Sequence, residues 1–475
     1  MKRIRCIFSI ALVFAFLPAM AVQGQQKAVY TPDQIANMKK VREMAIASPY
    51  ALDQTRYLTN NIGPRLSGSP QADRAVEYVA EQLRKMGLRV TLQEIMVPHW
   101  ERGKETAELV EFPGMAPGTT QKLSITALGG STATPDAGIT AEVVVVNDLQ
   151  ELAALSDDFV KGKIVFFNNK FDREMAKAGR SLEAYGLGGV YRRVGALEAT
   201  KKGAVASVIR SVGSSENRLA HTGGIGFEEG IENVPAAAVS YEDGELVSYL
   251  AGQGKIRMHL TLTPKTYPDK KSYNVIGDLV GSERPDEIVV VGGHLDSWDL
   301  GTGALDDAVG VAMAMQVPKL LIDAGIKPKR TIRVVAFMNE ENGFRGARKY
   351  AEEADMAKHA AAIESDLGAD HPTGFQFAGS KDAMSFLTPI AEILSVQGAG
   401  FVEFRPEGVS SDISLLTNKG VPSFAPQYDT RRYFDYHHNA ADTFDKVRPK
   451  ELAENAALMT VLAYAMADLD GSLPR

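Results

Sequence analysis

Cysteine is all but missing from this sequence: one of its 475 residues is cysteine, and that is Cys6. Beyond it the chain has no disulfide, no thiolate metal ligand and no cysteine nucleophile. Tryptophan occurs twice and histidine eight times, so a site that uses imidazole has few candidates to draw on. Positive charge is not in excess either. Lys and Arg number 52 against 59 Asp and Glu, a formal net charge of −7, which speaks against nucleic acid as the main partner. Past the first 24 residues no hydrophobic run approaches the roughly 20 uncharged residues needed to cross a bilayer. With 45% apolar and 23% charged residues, disordered and fibrous classes are excluded. The length is too great for one ordinary core, and two domains or more are expected.

The first residues carry a signal of their own. Lys2, Arg3 and Arg5 form a basic start, Ile7 to Leu17 is apolar, and Pro18-Ala19-Met20-Ala21-Val22-Gln23-Gly24 supplies small residues for a peptidase cut. Residues 1–24 are read as a cleaved export signal, with the cut after Ala21 or Gly24. That predicts a secreted or periplasmic protein with no membrane attachment after cleavage. Without disulfides, an exported chain leans on core size or bound metal for stability.

Three textures follow. In residues 25–129, Thr31-Pro32-Asp33-Gln34 is a capping box with proline at the first helical position, and Ser48-Pro49 and Ser69-Pro70 repeat the start signal. Ala72, Val76, Val79, Leu83 and Met86 recur at helical spacing, Gly87 stops them, and Val90 to Val97 reads as a strand. This opening shows no chemistry. Residues 130–263 alternate short strands such as Ala141–Val146, Gly162–Phe167 and Ala204–Ile209 with glycine-rich turns and short helices, a β-rich insert in which His221 is the one side chain of note. Residues 264–475 repeat strand, loop, helix: strands at Glu287–Val291, Thr331–Met338, Ala360–Ile363, Phe401–Phe404 and Val421–Phe424. Helices are expected over Asp306 to Ala324, over Phe344–Glu353 and, as a closing amphipathic helix, over Pro449–Leu469. That alternation predicts an α/β fold, a mostly parallel mixed sheet flanked by helices.

Open α/β sheets bind ligands beyond the carboxyl ends of their strands. After the first strand of this section comes Gly292-Gly293-His294-Leu295-Asp296, after the second Asn339-Glu340-Glu341, after the third Glu364-Ser365-Asp366. Each alone is weak, and Asp306-Asp307 alone reads as an ordinary helix start. Together they put acids and an imidazole at one sheet edge, where a cation must offset their repulsion. His437-His438, in Tyr433-Phe434-Asp435-Tyr436-His437-His438-Asn439, lies on a loop after the last strand. Two histidine positions with three carboxylates suit zinc, with manganese and cobalt left open.

The ordered set Gly293-His294-Leu295-Asp296-Ser297-Trp298-Asp299, Leu305-Asp306-Asp307, Asn339-Glu340-Glu341, Glu364-Ser365-Asp366 and His437-His438 through Asp442-Thr443 resembles the M28 family of zinc peptidases. The resemblance runs from about residue 30 to the end. It implies the zinc exopeptidase fold, with residues 130–263 as an inserted protease-associated domain. It implies two zinc ions per chain: His294 and Asp366 on one, Glu341 and His438 on the other, Asp306 between them. His438 is chosen over His437 because the family's ligand lies four residues before the Asp of Asp442-Thr443. Glu340 would move the proton, Asp296 would fix the tautomer of His294, and the Asp306–Asp307 bond would be cis. The implied activity is hydrolysis of dipeptides or short peptides, of carboxypeptidase or dipeptidase type, by a homodimer. Aminopeptidase is the alternative, followed by single-zinc glutaminyl cyclisation and a metal-free binding role. One position departs from the pattern. Where some family aminopeptidases place a tyrosine, three residues before the Asp of Ser411-Asp412, this chain has Val409. The oxyanion partner is thereby left to the insert, to His221 or to a second subunit.

Overall fold

The computed structural model describes residues 29–475, and the export segment read at residues 1–24 lies outside them. Two eight-stranded sheets organise the chain. The larger runs in the order Arg89–Glu101, Lys265–Leu279, Arg330–Phe337, Arg284–His294, His359–Glu364, Ser423–Tyr428, Pro372–Ala378, Phe401–Phe404. Its four central strands, from Arg330–Phe337 to Ser423–Tyr428, are mutually parallel, and antiparallel pairs flank them. Ile288 to Val291 are all buried, as expected of β-branched residues in a strand covered on both faces.

Helices Pro32–Ala47, Val309–Ala324 and Pro449–Asp468 pack against one another and on one face of this sheet. The first opens on the expected capping box: the Gln34 amide donates to Thr31 Oγ1 and the Thr31 amide to Gln34 Oε1. Pro449–Asp468 is not the amphipathic helix expected. Every residue from Glu454 to Asp468 is buried, because the helix runs between the sheet and two other helices. The other face is covered by Arg345–Glu353 and the turn Ser414–Thr417.

The second sheet follows the order Gln121–Leu123, Glu105–Glu111, Arg257–Leu262, Ile139–Val146, Ile164–Phe167, Ala206–Arg210, Ala236–Val239, Ile125–Ala127. It begins at Glu105, ahead of the boundary expected at residue 130, so residues 105–129, read as part of the opening segment, supply three strands here. The chain leaves the larger sheet at Glu101 and re-enters it at Lys265, and these two residues are paired across the antiparallel ladder. The insert is also less β-rich than expected, since Ser181–Lys201 is a 21-residue helix. Four glycines inside it, each costing about 1 kcal/mol of helix propensity, hid it from a reading by propensity. The insert is not a loose appendage. Phe171 and Tyr185 meet the Phe434 ring at 5.9 and 4.6 Å, and one apolar cluster continues through both parts.

Candidate metal centre

Strand order reverses at Arg284–His294. From it the chain passes through Val309–Ala324 to the neighbour on one side, then crosses to His359–Glu364 on the other. Such a reversal opens a crevice beyond the strand ends. His294 ends its strand, Asn339-Glu340-Glu341 follow Arg330–Phe337, and Asp366 lies two residues past His359–Glu364. The helix expected from Asp306 begins instead at Val309. Ala304–Ala308 is a kinked turn in which Asp306 and Asp307 have non-helical backbone, with the bond between them cis. Asp442 holds this turn, accepting hydrogen bonds from the Ala304, Leu305 and Asp306 amides at 3.1, 2.7 and 3.2 Å. Burial pushes the Asp442 carboxyl up to about 7.

Asp306 presents one carboxylate oxygen to each of two groups. Oδ1 stands 3.0 Å from His294 Nε2, which is itself 3.1 Å from Asp366 Oδ1. Oδ2 stands 3.4 Å from His438 Nε2, which is 3.0 Å from Glu341 Oε2. His437 is close as well: its ring stacks on His438 at 3.5 Å, and its Nε2 lies 3.6 Å from the same Oδ2. Only His438 is paired with Glu341.

Three features fit a cation here. His294 Nδ1–H donates to the Asp296 carbonyl at 2.9 Å, which points Nε2 at two carboxylate oxygens. Asp306 Oδ2 is buried with no hydrogen-bond donor. Among the described residues, atoms able to ligate a metal gather in threes: Asp306 with His437 and His438, His294 with Asp307 and Asp366, and His294 with Asp306 and Glu341. Nitrogen and oxygen donors without thiolate match a hydrolytic zinc set.

The electrostatics agree. Burial raises the carboxyls of Asp306, Asp307, Glu340 and Glu341, and repulsion among the acids adds to it against the pull of His294. Burial lowers the His294 imidazolium, yet Asp366 and Asp306 outweigh it and hold the group well above its ordinary range. His437 and His438 are pushed well down, by burial and then by neighbouring cations that include Arg192. The acids that resist ionising, and the His437 and His438 imidazoles that resist protonation, are relieved together by divalent metal.

Supporting groups differ from expectation in three places. Asp296 meets His294 through its main-chain carbonyl, while its carboxylate stands 4.0 Å from the ring. That carboxylate instead accepts the Asn339, Glu340 and Glu341 amides and the Ser67 hydroxyl, so it shapes the loop carrying both glutamates. His221 is no oxyanion partner: Nδ1 donates to the His437 carbonyl at 2.7 Å, and Nε2 accepts from Ser215 Oγ at 2.6 Å. The opening segment, read as carrying no chemistry, supplies Ser67 and fully buried Arg65. Arg65 donates to the carbonyls of Gly63, Leu295, Thr302 and Gly303, clamping the loop below the site. Four separate carbonyl partners leave no pattern in sequence. Ser411 Oγ donates to Asp366 Oδ2 at 2.6 Å, whereas Glu364 turns away to accept the Asp412 and Ile413 amides. A cleft of about 720 Å³ opens over Asp306, Glu340, Glu341, Asp366 and His438, with the insert as its far wall.

The profile of peptidase family M28 matches residues 274–463. The chain is similar to carboxypeptidase Q of Mus musculus, at 36% identity over 98% of this chain and 99% of that protein. It is similar also to a crystallised M28 peptidase precursor from Shewanella amazonensis, with a TM-score of 0.87 and 36% identity, over 93% of this chain and 98% of the other. Aminopeptidase YwaD of Bacillus subtilis stands further off, at 22% identity over 98% of this chain and 94% of its own. The crevice at the sheet reversal, the paired acid–imidazole groups and relatives spanning nearly the whole chain lead to one assignment: this protein belongs to peptidase family M28 and is a metallopeptidase.

Proposed function

We propose that the chain is an exported exopeptidase that holds two zinc ions and releases residues from the carboxyl end of dipeptides and short peptides. The observation that carries the reading is Asp306, whose two oxygens face two separate acid–imidazole pairs. His294 and Asp366 would hold one ion, Glu341 and His438 the other, and Asp306 would bridge them. Zinc bound there supplies Lewis acidity toward a peptide carbonyl and makes a water acidic near neutrality.

The remaining work falls to the chain. Glu340, half-buried at the cleft floor and raised by desolvation and by Asp366, takes the proton of the attacking water and hands it to the leaving amine. Asp296 keeps Glu340 and Glu341 in place by accepting their amides. The insert shuts one side of the cleft, in keeping with a protease-associated domain. Residues 1–24 direct export, and the resemblance supports a homodimer.

Metal analysis with an end-blocking panel tests this. Two zinc per chain are expected, with cleavage lost in chelator, retained on N-acetylated dipeptides and lost on C-terminally amidated ones. Loss on acetylation instead would favour an aminopeptidase. One zinc at saturation would overturn the two-ion site.

A further inference from the structure

The insert wall of the cleft carries two consecutive arginines on the helix Ser181–Lys201, and neither has an ion-pair partner among the described residues. Arg192 is 92% buried, being 8% exposed. Its Nε is buried without any acceptor. Its Nη1 reaches the Thr222 carbonyl and His438 Nδ1 only at 3.5 Å each. Burying a guanidinium with no anion is costly, and its five N–H groups form a fork that fits a carboxylate. The surroundings are built to seat it. The Tyr185 ring lies 5.2 Å away, and Gly223 leaves the space a side chain would fill, since a Cβ there would fall 2.5 Å from Nη1. Gly189 likewise leaves room for Arg193, whose Nη1 would be 2.9 Å from a Cβ at that position.

We propose that Arg192, assisted by Arg193, grips the free α-carboxylate of the substrate's last residue and so sets which peptide bond is cut. The assignment deepens the exopeptidase reading above and rests on it. Its distance from the floor fits. Arg192 Nη1 is next to Nδ1 of His438, the ring nitrogen opposite the Nε2 that faces Glu341 at 3.0 Å. One residue advances a peptide by about 3.3–3.6 Å, and a hydrogen bond adds about 2.9 Å. A carbonyl over the acid–imidazole floor and a carboxylate one residue beyond it therefore reach both places together. An acidic side chain presents the same carboxylate chemistry, so the test separates the two sources.

The test uses zinc-loaded full-length enzyme with Ala-Leu, Ala-Leu amide and Ala-Glu amide, alongside calorimetric binding of leucine and leucinamide. Wild type is expected to prefer Ala-Leu and to bind leucine over leucinamide. Arg192→Gln is expected to raise KM for Ala-Leu about 10- to 100-fold, the worth of one charge-assisted pair, with kcat nearly kept and zinc content unchanged. Arg192→Lys should recover part of the loss, and Arg193→Gln should cost about threefold, as befits an exposed ion pair. Should Arg192→Gln fold badly or lose zinc, the same KM and binding ratios are read in Arg192→Lys and Arg193→Gln. Wild type cleaving Ala-Leu and its amide equally would overturn the exopeptidase reading and this assignment with it. Wild type demanding the free carboxylate while all three variants keep its KM overturns the assignment alone. So does a loss that follows Arg348→Gln, across the cleft, or an activity on Ala-Glu amide that matches Ala-Leu.

Discussion

Glu340 and Glu341 are adjacent in sequence and near-identical in chemistry, yet the fold gives them different surroundings. Glu341 Oε2 faces His438, while Glu340 lines the cleft with no imidazole partner among the described residues. Replacing the two should therefore have separable effects. Glu340→Gln keeps the shape and removes the proposed proton carrier, so kcat should fall by about 10²- to 10⁴-fold with zinc content intact. Glu341→Ala should lose zinc outright. Metal analysis beside initial rates checks both, and equal zinc loss in the two variants would undo the division of labour. At this scale the sequence was legible wherever a strand ended in an acid or imidazole, because strand direction alone sends such residues to one edge. Arg65 and Arg192 were not legible, since nothing local marks an arginine whose partners are carbonyls or a missing anion. The work of the Asp296 carboxylate was misjudged for a related reason. Its amide partners lie more than forty residues away, on a loop whose turn could not be foreseen.

Among the elements, the loop Phe434–Asn439 shows how the insert supports the site from behind as well as walling it. The Thr222 amide donates to the His438 carbonyl, the Ser214 amide to Phe434, and His221 Nδ1 to His437. Burial pushes the His221 imidazolium down to about 4, only partly countered by its bond to the His437 carbonyl. Between pH 4 and the ordinary value of 6.5 the unfolded chain thus binds a proton that the folded one refuses. Stability rises with pH across that window and is lost as pH falls through it, by at most about 1.4 kcal/mol per pH unit. Denaturant titrations from pH 7 to 4 should show His221→Gln with a slope shallower by about one proton, whatever its loss at pH 7. Identical slopes would remove His221 from this role. The helix Ser181–Lys201 went unread because its glycines serve packing and arginine seating at the expense of propensity, a conflict that sequence alone resolves the wrong way. The closing helix was read with the right extent and the wrong environment, because burial on all sides depends on a second layer of helices.

For the whole molecule, the acid cluster is a liability without metal and an asset with it. Zinc held a thousandfold above its Kd adds about 4 kcal/mol to folding. Scanning calorimetry should therefore give a lower Tm after chelation, restored by zinc. An unchanged Tm in protein verified to be metal-free would contradict the structural role of the ions. Fold class was legible from the alternation of strand and helix in residues 264–475. The edges of the insert were not, because the short strands Glu105–Glu111, Gln121–Leu123 and Ile125–Ala127 carry no mark of which sheet they join.

Glu101 and Lys265 face each other on neighbouring strands, so the polypeptide departs and comes home through a single doorway. Any foreign module whose two ends lie a strand's width apart, about 4.8 Å, could be grafted there without shifting a rung of the ladder beneath. A replacement would still have to restore the bonds that Ser214, His221 and Thr222 give to the loop of His437 and His438, so the doorway frees the sheet while the cutting machinery stays tied to whatever fills it.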